Sequence, residues 1–447
     1  MTLPTARRLA EDLAAARFRS EALRAMWGVE ADDAIGRGLR AAALRAIRDR
    51  SDGLAVLARL LVFGQTQPVS DVDAALPGTG AAGLAELELA GIEDGMVVPR
   101  AVVRPQSFHD GRGPGEWIVA SDLDELASPG PLPADHVLGV GGASLTLAGL
   151  QLPTLAVSVL DLGTGCGVQA LRALRYADRV VATDVSARAL RFAALNAELN
   201  AASRLELREG SLFDPVAGER FDRIVSNPPF VITPRAQGIP EYEYRDGGMV
   251  GDALVAEVVA AIGTHLNPGG VAQLLGNWES RDGIDGLDRV RAWVEASDIP
   301  LEAWVIERES LDPIAYAGMW IRDGGTVPGT PAHDALLDAW LDDFATRGVT
   351  AIGFGYLLLR RPAGAPTLSR YERLPQPLPS EGALGAHLAA VLAVHDRMAA
   401  LTDAELLREH LRVAPDVTEQ RHYLPGADES RERGVGLHRA CEAAALT

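Results

Sequence analysis

A glycine-rich turn, Asp161-Leu162-Gly163-Thr164-Gly165-Cys166-Gly167, follows a β-branched run at 157–161 and precedes a predicted helix at 168–176. Glycines at this point let the backbone approach a ligand closely, and they leave the first N–H groups of the helix free to bind an anionic or polar group. A turn of this kind after a strand occurs in dinucleotide sites and in nucleoside sites alike. It therefore predicts a nucleotide-like ligand without identifying it.

An acidic residue, Asp184, ends the next predicted strand, at 179–184. A carboxylate at the end of the strand that follows a glycine-rich turn is positioned to accept hydrogen bonds from the two hydroxyls of a ribose. A capping residue for the following helix would look similar in isolation. Because both features occur in register on successive strands, we interpret them together as a nucleoside site.

The third feature is Asn227-Pro228-Pro229-Phe230, directly after a predicted strand at 221–226. The two prolines restrict the backbone, so the Asn227 amide and the Pro228 carbonyl become two rigid acceptors at the edge of the sheet. Two acceptors beside the flat ring of Phe230 suit a planar NH2 group. Asn-Pro-Pro is also a good strand-ending turn, which is the alternative when the motif is considered alone.

Strands and helices alternate between residues 137 and 360, which predicts a doubly wound parallel sheet in an α/β domain. Residues 310–345 hold one extra predicted helix, at 335–345, and are interpreted as an insertion. We predict seven strands, at 157–161, 179–184, 205–208, 221–226, 271–278, 301–307 and 350–360.

The flanking segments predict two smaller modules, at 1–130 and 363–447, around a central domain at 131–362. Residues 5–50 are typical of two or three helices, and three short helices follow. Strands at 97–103 and 117–120, around a polar loop at 108–115, complete an order that resembles a winged helix. Beyond a proline-rich linker at 361–379, we predict a small α+β module with a helix at 385–399, a capping box at Thr402 to Glu405, a strand at 416–423 and a terminal helix from Leu437.

Together, the glycine turn, Asp184 and the Asn-Pro-Pro-Phe motif resemble the class I S-adenosylmethionine-dependent methyltransferases of the methyltransferase small-domain type. The branch with this motif includes release-factor glutamine N5-methyltransferases, ribosomal RNA guanine N2-methyltransferases and adenine N6-methyltransferases. The resemblance implies a seven-stranded Rossmann-like domain, S-adenosylmethionine as cofactor and a target nitrogen held by Asn227, Pro228, Pro229 and Phe230. It assigns to the cofactor Asp161, Gly163, Thr164, Gly165, Cys166, Gly167, Asp184, Leu212 and Asn227.

One departure from the family concerns the adenine contact. The glutamine methyltransferases usually carry Asp at the position of Ser211, and we expect the nearby Asp214 to substitute for it. A second likeness is the segment 245–251, which resembles the GGxxG loop of the glutamine methyltransferases and favours a protein substrate. A flexible hinge before the next helix is the alternative for that segment.

Composition restricts the remaining functions. All 42 basic residues are arginines, so lysine Schiff-base chemistry and a P-loop lysine are excluded. A net charge of −19 disfavours nucleic acid as a partner, although residues 1–50 carry ten arginines against seven acids. Two cysteines, Cys166 and Cys441, are too few for a disulfide framework or a zinc site. We expect a cytoplasmic protein without a membrane segment and without a metal.

The preferred function is therefore methylation of a planar NH2 nitrogen, most simply a protein glutamine amide. The main alternative is an exocyclic amine of adenine or guanine in RNA or DNA. A noncatalytic cofactor-binding scaffold, whose flanking domains bind partners, is disfavoured because every expected motif is intact. A dinucleotide oxidoreductase stays open on the glycine turn alone, but it does not account for Asn227 to Phe230. The oligomeric state is not predicted.

Overall fold

The computed structural model describes residues 3–127, 133–235, 239, 242, 244–375, 384–410, 417–423 and 432–439. Within these ranges, the chain forms a helical N-terminal domain, a central eight-stranded sheet and a C-terminal region that packs in part on the sheet. None of the helices in these ranges is long and apolar enough to cross a membrane.

Four helices begin the N-terminal domain, where the sequence predicts two or three. They bury apolar faces that include Leu9, Leu13, Leu23 and Trp27 in one core. The spacing of these residues at three and four positions explains why the segments are helical. The helices are α1 (Leu3–Ala15), α2 (Ser20–Trp27), α3 (Val29–Ile35) and α4 (Ala41–Ala46).

The next segment has the order of elements of a winged helix, with helix, strand, two helices and two strands. The first helix ends in a π-helical turn, Ala58–Val62, and β3 lies between β1 and β2 in an antiparallel sheet. The elements are α5 (Gly53–Leu57), β1 (Gln67–Pro68), α6 (Val69–Ala75), α7 (Gly80–Glu86), β2 (Ala90–Glu93) and β3 (Met96–Pro99).

A long hairpin, β4 (Ala101–Asp110) and β5 (Gly113–Asp122), follows this segment. The predicted strand at 97–103 is therefore divided between β3 and β4, and the predicted strand at 117–120 pairs with β4, outside the β1-β3-β2 sheet. The prediction of a polar loop at 108–115 is wrong, because the strands continue to a tight turn after Asp110. The polar residues there are satisfied by tertiary contacts: Arg175 donates from Nε to Asp110 Oδ2 at 2.6 Å. Because Asp110 is paired with a residue of the central domain, the local sequence around it does not show that the segment is a strand.

The central sheet has the strand order β13-β11-β12-β10-β9-β6-β7-β8. Neighbouring strands are parallel except at β12, which is antiparallel to both β10 and β11. Without β13, this is the predicted doubly wound sheet of seven strands, but the antiparallel β12 departs from the predicted parallel arrangement. The strands are β6 (Ala156–Leu162), β7 (Ala177–Asp184), β8 (Leu205–Glu209), β9 (Phe221–Ser226), β10 (Leu266–Arg281), β11 (Glu302–Leu311), β12 (Val349–Arg360) and β13 (Ser369–Arg373).

Helices cover both faces of this sheet. Val255, Val258 and Ile262 of one helix pack on one face, while Val168 and Leu171 of another pack on the opposite face. Burial on both faces explains why the strands are almost continuously apolar. The helices are α8 (Gly142–Leu150), α9 (Val168–Ala173), α10 (Ala187–Leu199), α11 (Ala253–Ile262) and α12 (Gly286–Glu295).

The insertion holds two helices, α13 (Pro313–Asp323) and α14 (Pro331–Thr346), where one is predicted. Each begins at a side-chain cap followed by proline: the Asp312 carboxylate accepts from the Ala315 N–H, and the Thr330 hydroxyl accepts from the His333 N–H. Their apolar faces enclose Tyr316, Trp340 and Phe344.

The predicted linker after residue 361 contributes to the sheet. Its residues 369–373 form β13, which pairs with β11 in parallel, and Glu372 accepts a hydrogen bond from the Trp304 indole at 2.7 Å. The prolines of this segment led to the prediction of a linker. The five-residue strand forms because it pairs with the edge of the sheet at β11.

The C-terminal region differs from the predicted separate module. Helix α15 (Leu384–Ala400) packs Leu388 and Leu392 against Leu147 and Leu150 of α8. The predicted capping box opens α16 (Asp403–Leu406). The predicted strand is β14 (Val417–Tyr423), but Leu437 lies in β15 (Glu432–Arg439), which pairs with β14, and not in a helix. The rest of the predicted terminal helix lies outside the described residues.

Two side-chain amides join the N-terminal domain to the central domain. The Asn196 side chain accepts from the Ala120 N–H at 2.7 Å and donates to the Ala120 carbonyl at 2.9 Å. Asn200, one turn later on α10, makes the same pair of bonds to Ile118. A helix spacing of four residues matches a strand spacing of two, so the two amides pair with the edge of β5 as a neighbouring strand would.

Candidate functional site

A cavity of about 380 Å³ opens at the carboxyl ends of β6, β7 and β9. This is the edge of a doubly wound sheet at which ligands bind. The cavity brings together Gly163, Asp184 and Asn227, which are distant in the chain. Its lining includes Gly163 to Cys166, Asp184, Ser211, Leu212, Asn227, Pro228, Pro229 and the loop residues Tyr244 and Asp246 to Met249.

The glycine turn lies open to this cavity. Gly163 and Gly165 have φ angles of +72° and +56°, and a Cβ atom on either would meet nothing within 4 Å. Both glycines thus combine a left-handed backbone with free space for a ligand. Gly167 differs: its φ is +88°, and a Cβ there would lie 3.2 Å from the Ala193 Cβ of α10. Its role is close packing of two helices, which departs from the cofactor contact predicted for it.

Asp184 is held with its carboxylate at the rim of the turn. Its Oδ1 accepts from the Ser186 N–H at 2.9 Å and its Oδ2 accepts from the Gly165 N–H at 2.8 Å. Burial raises the pKa of this carboxyl, and the two backbone N–H groups oppose that effect. Each carboxylate oxygen can accept a further hydrogen bond, which is what two ribose hydroxyls require.

Asp161 lies directly beneath the turn and is fully buried. Its Oδ2 accepts from the Thr164 hydroxyl at 2.6 Å and from the Ala170 N–H at 2.9 Å, while its Oδ1 has no partner. Burial raises the pKa of the Asp161 carboxyl to about 7. This residue and Thr164 shape the turn, and they tie it to the first turn of α9.

Cys166 is buried within the same turn. Burial raises the pKa of its thiol to about 12, so the thiol stays protonated at neutral pH and is a poor nucleophile. Its carbonyl accepts from the Asn196 side chain at 2.7 Å. That bond connects the turn to α10, and the same Asn196 side chain bonds to Ala120 of the N-terminal domain.

The adenine side of the predicted site is only partly as expected. Ser211 and Leu212 line the cavity, and Leu212 has a φ of +45°. Asp214 is exposed, begins a 3-10 turn and does not line the cavity, so the expectation that it replaces the family's Asp is wrong. The chain turns away from the cavity after Leu212.

Asn227, Pro228 and Pro229 line the cavity at the end of β9. The Asn227 Oδ1 atom is buried and has no hydrogen-bond partner. The end of β9 is fixed by Ser226, whose hydroxyl donates to the Leu162 carbonyl at 2.7 Å. The site therefore holds a rigid acceptor that awaits a donor.

Phe230 does not take its predicted position. Its half-buried ring packs against three apolar clusters and is not part of the cavity lining, and its backbone forms a bridge to Asp246. A stacking role for Phe230 on the target NH2 group is therefore not supported. Phe230 anchors the motif by packing in the core. A phenylalanine at this position of the sequence could equally have stacked on the target group, so the sequence alone could not decide between the two roles.

The loop at 244–249 closes over the proline motif. A Cβ on Gly247 would lie 3.0 Å from the Pro229 carbonyl oxygen, so this close approach requires glycine. Asp246 forms an ion pair with Arg235. The Gly248 N–H also donates to Asp246 Oδ1 at 3.2 Å. The segment that resembles the GGxxG loop is thus part of the site, and these contacts hold it in place.

Several lining residues were missed by the sequence reasoning. The segment after the hairpin contributes His136, Leu138 and Gly139, and α8 contributes Ser144. The glycines at 139, 141 and 142 were a usable signal for a close backbone approach. Nothing local marked His136 or Tyr244. Among the described residues, no group of three or more His, Cys, Asp or Glu side chains could hold a metal ion.

Comparison with known families agrees with this geometry. Residues 141–242 match the methyltransferase small domain. This part of the central domain is a methyltransferase small domain. The predicted resemblance to methyltransferases of the small-domain type is thereby confirmed for these residues. The role of the Asn-Pro-Pro-Phe motif stays a prediction. Residues 15–100 match a family described as a domain of unknown function (DUF7059).

Three relatives illustrate how far the similarity of this methyltransferase domain extends. A release factor glutamine methyltransferase of Geobacter sulfurreducens is 42% identical over 173 residues, which cover 36% of this chain and 59% of the relative. One from Xylella fastidiosa is 40% identical over 129 residues, 27% of this chain and 47% of the relative. A ribosomal protein uL3 glutamine methyltransferase of Bordetella pertussis is 34% identical over 172 residues, 36% of this chain and 57% of the relative. The chain spans about half the length of these relatives.

Proposed function

We propose that the protein transfers the methyl group of S-adenosylmethionine to the side-chain amide nitrogen of a protein glutamine. The observation that carries the proposal is the buried Asn227 Oδ1 atom, which has no donor although it borders the cavity. A buried unpaired acceptor destabilises a protein by about 1–3 kcal/mol, so its retention in a cavity favours a ligand that supplies the missing N–H.

The residues at the glycine turn fit the cofactor. Gly163 and Gly165 leave open space where the methionine part would lie, and Asp184 retains lone pairs for the ribose hydroxyls. Leu212 offers an apolar surface for the adenine. When bound, S-adenosylmethionine supplies an electrophilic methyl group on a cationic sulfonium.

The chain's own contribution to the reaction is alignment. Asn227 Oδ1 and the Pro228 carbonyl would accept the two hydrogens of the target NH2 group, which directs the nitrogen lone pair toward the methyl carbon. Holding two reactants in line replaces much of the entropic cost of their encounter. The amide proton is lost late, so no strong general base is required.

A protein substrate is supported over a nucleic acid by two observations. The relatives that the domain resembles carry names that specify glutamine in a release factor or in ribosomal protein uL3. In the winged helix, α7 occupies the place of the helix that reads the major groove, yet Gly80–Glu86 contains no arginine. Its Glu86 accepts from the Thr5 hydroxyl of α1 at 2.8 Å, so that face is covered. For the compartment we retain the cytoplasm as a proposal, since two cysteines suit a reducing environment.

The test is a transfer assay with methyl-labelled S-adenosylmethionine and three separate acceptors: a purified release factor, purified uL3 and ribosomal RNA. We expect label in a protein, lost on protease treatment and released as methylamine by acid hydrolysis, as an N-methylated amide requires. Label that nuclease removes would instead establish the nucleobase alternative.

The matched variants are Asn227→Ala and Asp214→Ala. Asn227→Ala should lower kcat at least 100-fold while the dissociation constant of S-adenosylmethionine changes less than threefold. Asp214 is exposed and outside the cavity, so its replacement should alter neither quantity. Unchanged activity of Asn227→Ala would remove the acceptor role from this residue.

A further inference from the structure

His136 is a buried polar side chain that lines the cavity and that the proposed reaction does not yet use. It lies between β5 and α8 and is 3% exposed, and neither ring nitrogen has a hydrogen-bond partner. The nearest acid, Asp122, places its Oδ2 3.9 Å from His136 Nδ1, beyond hydrogen-bond length. Asp122 is itself satisfied, because the Val137 N–H donates to it at 2.8 Å and Arg188 Nε donates at 3.1 Å.

One neighbour of His136 belongs to the loop that covers the proline motif. Its ring meets the Tyr244 ring edge-on, with centroids 5.8 Å apart. Tyr244 belongs to the loop whose Gly247 approaches the Pro229 carbonyl, and both loop residues line the same cavity. His136 thus lines the same cavity as Asn227 and Pro228, and it contacts the loop that approaches the proline motif.

A carboxamide needs more than two acceptors. Its NH2 group donates twice, and its carbonyl oxygen accepts, so a site built only from Asn227 Oδ1 and the Pro228 carbonyl would leave that oxygen without a donor when water is excluded. A neutral imidazole has one N–H to donate. A neutral donor is also preferable to a cation beside a sulfonium, because like charges repel.

We propose that His136 donates a hydrogen bond to the carbonyl oxygen of the acceptor carboxamide and so acts as a specificity-determining residue. This inference rests on the proposed glutamine methylation. Burial lowers the pKa of the imidazole, against the opposing carboxylates of Asp122 and Asp124, which keeps the ring neutral. Asn227 and Pro228 would then accept both hydrogens of the NH2 group, and His136 would donate to the carbonyl oxygen of the same amide.

His333 provides a matched control. It is 8% exposed and also has two unpartnered ring nitrogens, but it lies on α14 and does not line the cavity. An unpaired histidine that serves only the fold should behave as His333 does. A histidine that awaits a ligand should affect the kinetics of that ligand.

The experiment compares His136→Phe, His136→Gln and His333→Phe with a purified release factor as acceptor. For His136→Phe we expect kcat/KM for the acceptor to fall about tenfold, the S-adenosylmethionine dissociation constant to stay within twofold, and Tm to hold or rise because two orphaned nitrogens are removed. His136→Gln retains an N–H donor and should recover at least threefold of the loss. His333→Phe should leave kcat/KM unchanged.

The outcomes separate the two proposals. If the wild-type protein places no label in glutamine, both the proposed function and this inference are overturned. If the wild type is active and His136→Phe keeps its acceptor kcat/KM, only the role of His136 is overturned. A fall in cofactor affinity equal to the fall in kcat/KM would likewise overturn it, because the residue would then serve the cofactor.

Discussion

The two ends of the cavity are built differently. At the cofactor end, Asp184 has both carboxylate oxygens engaged by backbone N–H groups, and Gly163 and Gly165 present an open, preformed cradle. At the acceptor end, Asn227 Oδ1 and both nitrogens of His136 are buried without partners. The cofactor end is therefore preorganised, with its polar groups already hydrogen-bonded within the protein. At the acceptor end, the proposed glutamine side chain would supply the missing hydrogen-bond partners only when the substrate protein binds.

Asp161 differs from the other polar groups at the cofactor end, because its Oδ1 atom has no hydrogen-bond partner. Its titration should give the largest change in the free energy of unfolding that we expect. Burial raises the pKa of its carboxyl to about 7 from an ordinary value of 3.8. The folded protein therefore favours the neutral acid, whose contribution to stability is complete below about pH 4 and is lost as the pH rises through about 7. Relative to Asp161→Asn, the free energy of unfolding of the wild type should fall by about 4 kcal/mol over that range.

Chemical denaturation of both proteins at several pH values, without cofactor, measures this difference. The asparagine can keep an oxygen toward Thr164 and Ala170, so the variant controls for the two hydrogen bonds. A difference that does not change with pH would show that Asp161 is ionised throughout, and the cofactor end would then be charged beneath its turn.

The second effect tests whether the cofactor end depends on the N-terminal domain. Asn196 is fully buried and bonds to both backbone groups of Ala120 and to the Cys166 carbonyl. Asn196→Ala should lower the free energy of unfolding by about 3 kcal/mol, because buried backbone groups lose their partners. Urea denaturation checks this. Asn200→Ala, at a half-buried position, should have a smaller effect, and equal effects would contradict the special position of Asn196.

The third effect concerns the preformed cradle itself. Asp184→Ala should weaken S-adenosylmethionine binding about 100-fold, since two charge-assisted hydrogen bonds are lost. Titration calorimetry measures the dissociation constant. If the dissociation constant stayed within threefold of the wild-type value, Asp184 would not bind the ribose, and the cofactor end would not be preorganised as described.

The fourth effect separates the acceptor end from the cofactor end. The Tyr316 hydroxyl accepts from the Ile232 N–H and from the Asn277 side chain, both at 2.9 Å, and so fixes the backbone just beyond the proline motif. Tyr316→Phe should lower kcat about tenfold while cofactor affinity stays unchanged. Tyr371→Phe, on the edge strand β13, is the control and should alter neither. A parallel loss of cofactor affinity in Tyr316→Phe would indicate that the whole cavity is distorted.

Sequence reasoning reached the cofactor end more completely than the acceptor end. The glycine turn, Asp184 and the proline motif each follow a strand, and strand ends of one parallel sheet converge, so local patterns sufficed to predict their meeting. The predictions for Phe230 and Asp214 failed because a side chain one or two residues beyond a lining residue can point away from the cavity. His136, Tyr244 and Tyr316 come from separate segments and carry no motif, so only the packed chain brings them to the site.

By itself, the sequence determined the doubly wound sheet, its glycine turn and the rigid Asn-Pro-Pro edge, because hydrophobic period, glycine and proline act through the local backbone. Only the tertiary structure decided that residues 369–373 extend the sheet, that two asparagines of α10 pair with β5, and that His136 lines the same cavity as the proline motif. These contacts join residues far apart in the chain, and their free energy exists only once the intervening elements have packed.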